Sequence, residues 1–159
     1  MRIIIFGADG YLGWPTSMKL ASEGHEIIAV DNYLRRQMAD ETNSQPLMDN
    51  PKLEERSDIY YSNIGKKIKV EIGDCTDYKF VKQLFKEYQP DAVIHYAEQP
   101  SAPYSMMGHF EATRTLRNNL DSTLNIIFGV ILNLSSKGYN VSFESIWLEK
   151  LKQFIAIKL

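Results

Sequence analysis

Cysteine is all but absent: Cys75 is the only one among 159 residues. A single thiol can form neither an internal disulfide nor a cysteine zinc site. An excess of one charge is missing too. Eighteen Lys and Arg stand against 20 Asp and Glu, a net of −2, so no electrostatic pull toward nucleic acid or anionic lipid is expected. No apolar run approaches the roughly 18 residues that a membrane span needs. Met1 to Phe6 lead straight into a glycine turn, without the long apolar region and small-residue cleavage site of an export signal, so a cytoplasmic location is expected. What is present is ordinary for a globular chain: 44% hydrophobic and 24% charged residues, enough to bury a core in one domain.

The patterning alternates between two periods. Arg2-Ile3-Ile4-Ile5-Phe6 is a branched apolar run that suits a strand buried on both faces of a parallel sheet. A glycine turn follows, then helical spacing from Trp14 to Glu23, with Pro15 in a first turn and Gly24 as a stop. Glu26 to Val30 reads as a second buried strand closed by Asp31. Residues 33–65 lose this order and read as an insertion over the sheet, with one helical stretch within Leu53 to Ile64. Ile68 to Ile72 predicts a third strand, and Asp77 caps a helix from Tyr78 to Tyr88. Ala92 to Ala97 predicts a fourth strand, Pro100 and Pro103 a loop, and about Phe110 to Val130 a long helix. The expected fold class is α/β, a Rossmann-like doubly wound parallel sheet, with a tail after about residue 130. In that tail Tyr139 to Phe143 suit a short strand, and Trp147, Leu148, Leu151, Phe154 and Ile155 an amphipathic helix.

Gly7, Gly10 and Gly13 form a G-x-x-G-x-x-G turn between strand and helix. Such a turn needs glycine where φ is positive and where a diphosphate comes close to the backbone at a helix N-terminus. The third glycine permits close packing of helix on strand. Asp31, eighteen residues beyond Gly13, is placed to accept hydrogen bonds from adenosine ribose hydroxyls. A carboxylate there repels a 2′-phosphate and favours NAD over NADP, while Arg35 and Arg36 leave the phosphorylated form open. Asp74 and Cys75 follow the third strand, either at the adenine or, for Asp74, as a turn residue. Cys75 reads as a small buried residue rather than a nucleophile. His95, inside an apolar strand, reads as a core histidine before a catalytic one. The polar stretch Glu98 to Ser105 lies past a strand end, where open sheets bind ligands. Asn118 and Asn119 interrupt the long helix, as a loop anchor, a cofactor contact or a solvated pair.

Together these residues resemble the extended short-chain dehydrogenase/reductase superfamily. The strings Asp9-Gly10-Tyr11-x-Gly13-Trp14, Asp31-Asn32-x-x-Arg35-Arg36 and Ser101-Ala102-Pro103-Tyr104-Ser105-Met106, with Glu98-Gln99 before the last, resemble the UDP-sulfoquinovose synthase family within it. The resemblance covers residues 1 to about 130 and implies an NAD-binding Rossmann domain over 1–130, incomplete at its C-terminal side, followed by a divergent tail over 131–159. It implies bound NAD, UDP-glucose and sulfite as substrates, and UDP-sulfoquinovose as product. In that chemistry the glucose is oxidised at C4, water is eliminated across C5 and C6, sulfite adds at C6 and the hydride returns. Carried over residue by residue, Asp9, Gly10, Tyr11 and Leu12 cradle the diphosphate. Asp31, Asn32, Arg35 and Arg36 surround the adenosine ribose. Asp74 and Cys75 border the adenine. Tyr96, Ala97 and Glu98 line the nicotinamide side with Asn119 nearby, and Gln99, Ser101 and Tyr104 face sugar or sulfite.

Two departures stand out. Pro100 takes the place of a family arginine, and the family's catalytic threonine would fall near Glu144, where this chain differs. The family's Tyr-x-x-x-Lys pair, in which lysine lowers the pKa of the tyrosine base, is expected beyond Leu159, with no such spacing in the chain itself. The expectation is a truncated enzyme that binds NAD but lacks its own catalytic half. The alternatives are a non-catalytic NAD-binding remnant and another NAD-dependent UDP-sugar epimerase or dehydratase. An uncovered sheet edge and helix face predict a homodimer or looser self-association.

Overall fold

The computed structural model describes residues 1–44, 46–99 and 102–143. Four parallel strands form one sheet in the order β3-β2-β1-β4: β1 (Arg2–Phe6), β2 (Glu26–Asp31), β3 (Lys69–Ile72) and β4 (Ala92–His95). Side chains of a strand point alternately to its two faces, and β1 uses both. Ile3 and Ile5 meet Ile27, Ala29, Leu53 and Ile68 on one face, beneath α1 (Gly13–Ser22) and α3 (Leu53–Ile64). Ile4 and Phe6 meet Ile28, Val30, Val81, Phe85 and Ile126 on the other, beneath α4 (Tyr78–Tyr88) and α6 (His109–Ser136). Two small cores on opposite faces of one sheet make the fold doubly wound and Rossmann-like, as the alternating pattern predicts.

Local chemistry sets the helix ends. The Asp77 carboxylate accepts from the Lys79 N–H at 2.8 Å and caps α4. Past α1, Gly24 has φ +90° and its N–H returns to the Ala21 carbonyl at 3.0 Å, which closes the helix. The asparagines of α6 bond to neighbouring turns. Asn125 Nδ2 donates to the carbonyls of Cys75 and Thr76 at 3.1 and 2.8 Å, and Asn133 Nδ2 to that of Pro90 at 2.9 Å.

Several boundaries differ from expectation. The insertion holds a second helix, α2 (Leu34–Glu41), whose only buried side chain is Met38; with just Leu34, Met38 and Ala39 apolar in a short, charged stretch, too little periodicity is left to read. The loop after β4 contains a helical turn, α5 (Ala102–Ser105), and β4 ends at His95 rather than Ala97. The long helix continues to Ser136, past Val130. The strand expected over Tyr139 to Phe143 does not form: Gly138, at φ +85°, ends α6, and Phe143 stacks on Phe128 of that helix instead of pairing with a strand. The helix expected around Trp147 to Ile155 lies outside the described residues. Along α6, Leu116, Leu120, Leu124, Phe128 and Leu132 recur every fourth residue and stay 39 to 68% exposed, an apolar stripe on the side away from the sheet. Among the described residues no helix is long and apolar enough to cross a membrane.

The two helices of one face touch through a glycine. A Cβ on Gly129 would stand 2.5 Å from the Phe85 ring, which is 2% exposed and hemmed in by the core. Overpacking there costs about 1–3 kcal/mol, against the roughly 1 kcal/mol by which alanine exceeds glycine in a helix. Gly129→Ala is therefore expected to lower stability by about 1 kcal/mol in urea titration.

Candidate functional site

The sheet reverses its winding between β1 and β4, and a crevice opens outside the carboxyl ends of the strands at that point. It encloses about 610 Å³, mouth included. Its floor is the glycine turn. Gly7 has φ +79°, and a Cβ there would stand 2.4 Å from the Tyr96 backbone; one on Gly13 would stand 2.1 Å from the Gly7 carbonyl oxygen. Bare backbone at both positions draws the start of α1 against the ends of β1 and β4. The Gly7 and Ala8 N–H groups both return to the Val30 carbonyl, at 2.9 and 3.1 Å. The N–H groups of Tyr11, Leu12 and Gly13 have no acceptor among the described residues, and no side chain caps α1. That helix end therefore presents unpaired donors and the positive end of its dipole.

Asp31 stands at the end of β2 and lines the crevice. Its Oδ2 accepts from the Asp9 N–H at 2.9 Å and its Oδ1 from the Tyr33 N–H at 2.7 Å. Burial pushes its pKa above the usual value, against the pull of those two bonds. Each oxygen keeps a second lone pair for a ligand hydroxyl. Asn32 and Arg35 line the crevice beside it. Arg36 faces the other way. Its Nε and Nη2 grip the Asp9 carboxylate at 2.7 Å each, and it also donates to the carbonyls of Asn50 and Pro51. Arg56 of α3 closes on the same carboxylate. Asp9 thus lines the crevice, as does Gly10, and is also a structural hub whose N–H is engaged by Asp31.

The far wall follows β4. Tyr96, Ala97, Glu98 and Gln99 line it, with Cys75 and Asn118. Asn119 does not line the crevice; its Oδ1 accepts from the Gln99 N–H at 2.7 Å and its Nδ2 donates to the Gln99 carbonyl at 3.2 Å, so it anchors this loop to α6. His95 is a packed histidine, edge-on to Phe6 at 6.5 Å between centroids. Its Nδ1 accepts from the Ala97 N–H at 3.3 Å, and its Nε2 lies 3.2 Å from Thr123 Oγ1 and 3.3 Å from Glu98 Oε1. The His95, Thr123 and Glu98 side chains hold one another at the crevice rim.

Other expected residues fall elsewhere. Asp74 turns inward on itself: its Oδ1 accepts from both the N–H and the hydroxyl of Thr76 at 2.8 Å, a turn role. Cys75 is buried and its thiol is pushed up to about 12, by burial first and by the Asp74 charge second, which disfavours the thiolate. Tyr104 is 1% exposed, with its hydroxyl between Glu41 at 3.2 Å and Arg114 at 2.8 Å. It lines a second hollow that shares Arg35, Met38 and Gln99 with the crevice. Pro100, Ser101 and Glu144 lie outside the described residues. Sequence reasoning missed Met38, Leu34 and Gly73 in the lining, and Arg56 behind it. Arg56 carries no local signal, because its partner is 47 residues away. One expectation is corrected by the sequence itself: Tyr78 and Lys82 do have the Tyr-x-x-x-Lys spacing. They belong to α4, where the Tyr78 ring packs edge-on to Phe128, and neither lines the crevice.

A glycine-floored crevice at the switch point of a parallel sheet, with an acid closing β2, defines a dinucleotide-binding α/β class. Residues 3–131 match the NAD dependent epimerase/dehydratase family, and the chain belongs to it. Among curated relatives, the UDP-sulfoquinovose synthase of Sulfolobus acidocaldarius is 42% identical over 131 residues, which cover 82% of this chain and 33% of that protein. The chloroplastic UDP-sulfoquinovose synthase of Spinacia oleracea is 34% identical over 129 residues, covering 81% and 27%. The chain therefore spans a third or less of the length of these relatives. Among solved structures, UDP-glucose 4-epimerase from Bifidobacterium longum in complex with NAD+ and UDP aligns at a TM-score of 0.64 and 25% identity, over 84% of this chain and 34% of that one. The residues present fit the family's dinucleotide, since the unpaired N–H groups at α1 and the room left by Gly7 and Gly13 lie where a diphosphate would rest.

Protonation of Asp31 would remove its charge and one acceptor. Its raised pKa places that event at a higher pH than for an ordinary aspartate, whose value is 3.8. The burial penalty on the ionised form is full above the raised pKa and is released as pH falls through it. Glu54 and Asp91, both lowered, act on stability in the opposite sense. Binding is therefore the cleaner readout. NAD affinity measured calorimetrically is expected to fall as pH is lowered, with a midpoint above 3.8.

Proposed function

We propose that this chain is the NAD-binding part of a nucleotide-sugar enzyme of UDP-sulfoquinovose synthase type. The observation that carries the NAD assignment is the crevice itself: unpaired N–H groups at the start of α1 on one side and the Asp31 carboxylate on the other. In this reading the Tyr11, Leu12 and Gly13 N–H groups bind the diphosphate oxygens, helped by the helix dipole. Asp31 accepts from the ribose hydroxyls, with Asn32 and Arg35 beside it, and Gly73 and Cys75 border the adenine. The carboxylate repels a 2′-phosphate, and the engagement of Arg36 by Asp9 removes one cation that could welcome it. NAD is therefore preferred over NADP. Ala97 and Glu98 border the nicotinamide, and Asn119 holds their loop in place. When bound, NAD supplies the hydride acceptor that nucleotide-sugar oxidation needs.

The choice of sulfoquinovose chemistry rests on the two synthase relatives and on the stretch from Glu98 to Met106 that resembles them. UDP-glucose and sulfite are the substrates in this reading, with Gln99 of the β4 loop toward the sugar. A base for the sugar C4 hydroxyl is also needed. Among the described residues no tyrosine–lysine pair lines the crevice, so these 159 residues by themselves are expected to bind NAD without converting substrate.

Calorimetry and mass spectrometry test this together. The chain is expected to bind NAD more tightly than NADP and to form no UDP-sulfoquinovose from UDP-glucose and sulfite. A chimera in which residues 3–131 replace the matching third of the Sulfolobus acidocaldarius relative is expected to form it. Conversion of UDP-glucose by that chimera without any need for sulfite would favour an epimerase or dehydratase. Absence of NAD binding would reject the cofactor assignment.

A further inference from the structure

We infer that Arg56, on the insert helix α3, is a positioning residue for the dinucleotide crevice: it holds the Asp9 carboxylate and thereby fixes the glycine turn and Asp31, neither of which it serves as a ligand contact. The inference rests on the dinucleotide reading and adds to it a residue from outside the turn. Three links make the path. The Arg56 Nη2 donates to Asp9 Oδ1 and, at 3.3 Å, to the Asp9 carbonyl. The same carboxylate takes Arg36 Nε and Nη2 at 2.7 Å, which ties in α2 and the backbone at Asn50 and Pro51. The Asp9 N–H then donates to Asp31 Oδ2 at 2.9 Å. Insert, glycine turn and ribose carboxylate are thus joined in series.

The pairing is a costly way merely to fill space. The Arg56 side chain is 11% exposed and that of Asp9 is 8% exposed. Arg56 Nε is buried with no acceptor among the described residues. Its guanidinium lies over the Trp14 ring at 4.9 Å, where an apolar side chain would pack without that desolvation. Buried ion pairs of this kind stabilise little for their cost and are better explained by what they hold in place.

Titration calorimetry with NAD on the whole chain tests the inference through a double-mutant cycle. Arg56→Met and Asp9→Asn are each expected to weaken NAD about tenfold, and the double variant to be within about twofold of the weaker single, because both cut the same link. Arg56→Lys, which keeps a cation opposite Asp9 but loses the planar stack on Trp14, is expected to bind NAD more tightly than Arg56→Met and more weakly than the starting protein. A purely structural Arg56 would lower the melting temperature and leave the affinity of the folded protein unchanged. NAD binding within twofold of the starting protein in Arg56→Met, or losses that multiply in the double variant, would overturn the inference. If Arg56→Met does not melt cooperatively, Asp9→Asn decides, since asparagine keeps the backbone N–H to Asp31 and gives up the charge; unchanged affinity there overturns it. Failure of the unsubstituted chain to bind NAD rejects the dinucleotide reading and this inference with it, whereas NAD binding that ignores Arg56 rejects this inference alone.

Discussion

Everything at the carboxyl edge of this sheet depends on backbone meeting backbone at Gly7. With no Cβ, the end of β1 can lie against the Tyr96 peptide of the β4 loop, and Gly13 can bring α1 down onto the Gly7 carbonyl. The two contacts set the depth of the crevice and the direction of the α1 N–H groups. Any side chain at either glycine would lift the helix from the sheet. The acid at the end of β2 would then lose its bond to the Asp9 N–H. A steric allowance of a few atoms thus decides whether an electrostatic site can be assembled at all.

The sheet and its covering helices were legible because their signals are local and periodic. The run from Ile3 to Phe6 has to be buried on both faces, and the alternation of its residues between two cores follows from the strand period alone. Asp77, Gly24 and the three glycines of the turn each announce an end or a bend through their own chemistry. Helix α2 was not legible, since Met38 is its one buried side chain. The strand read over Tyr139 to Phe143 failed for a different reason: alternation can be satisfied by contact with a helix, as Phe143 does on Phe128.

The candidate site was legible to the extent that its residues act through position on the sheet. Asp31, Asn32, Arg35 and the β4 loop line the crevice as their places after strand ends imply. Residues that act through a partner were misread or missed. Arg36 looks like a ribose contact in sequence because nothing shows that Asp9, 27 residues earlier, takes its guanidinium. Asn119 looks as ready for a cofactor as for a loop, and only the folded geometry turns both its amide atoms to Gln99. Arg56 carries no mark at all. Long-range polar pairing has no period, so it stays silent until the chain is folded.

The sheet is also unequal at its two borders. On the β3 side, Lys69 and Glu71 alternate along a four-residue strand, and Lys69 reaches toward Glu71 and Glu87 at 3.8 and 3.7 Å. Charge on a short border strand discourages further pairing. On the β4 side the border reads Ala92-Val93-Ile94-His95, with no ion pair among its first three residues in the described structure and α6 already crossing back over the adjoining face. The two borders therefore differ in kind: charge on β3 works against a further strand there, while the backbone beside the apolar run of β4 carries no such deterrent.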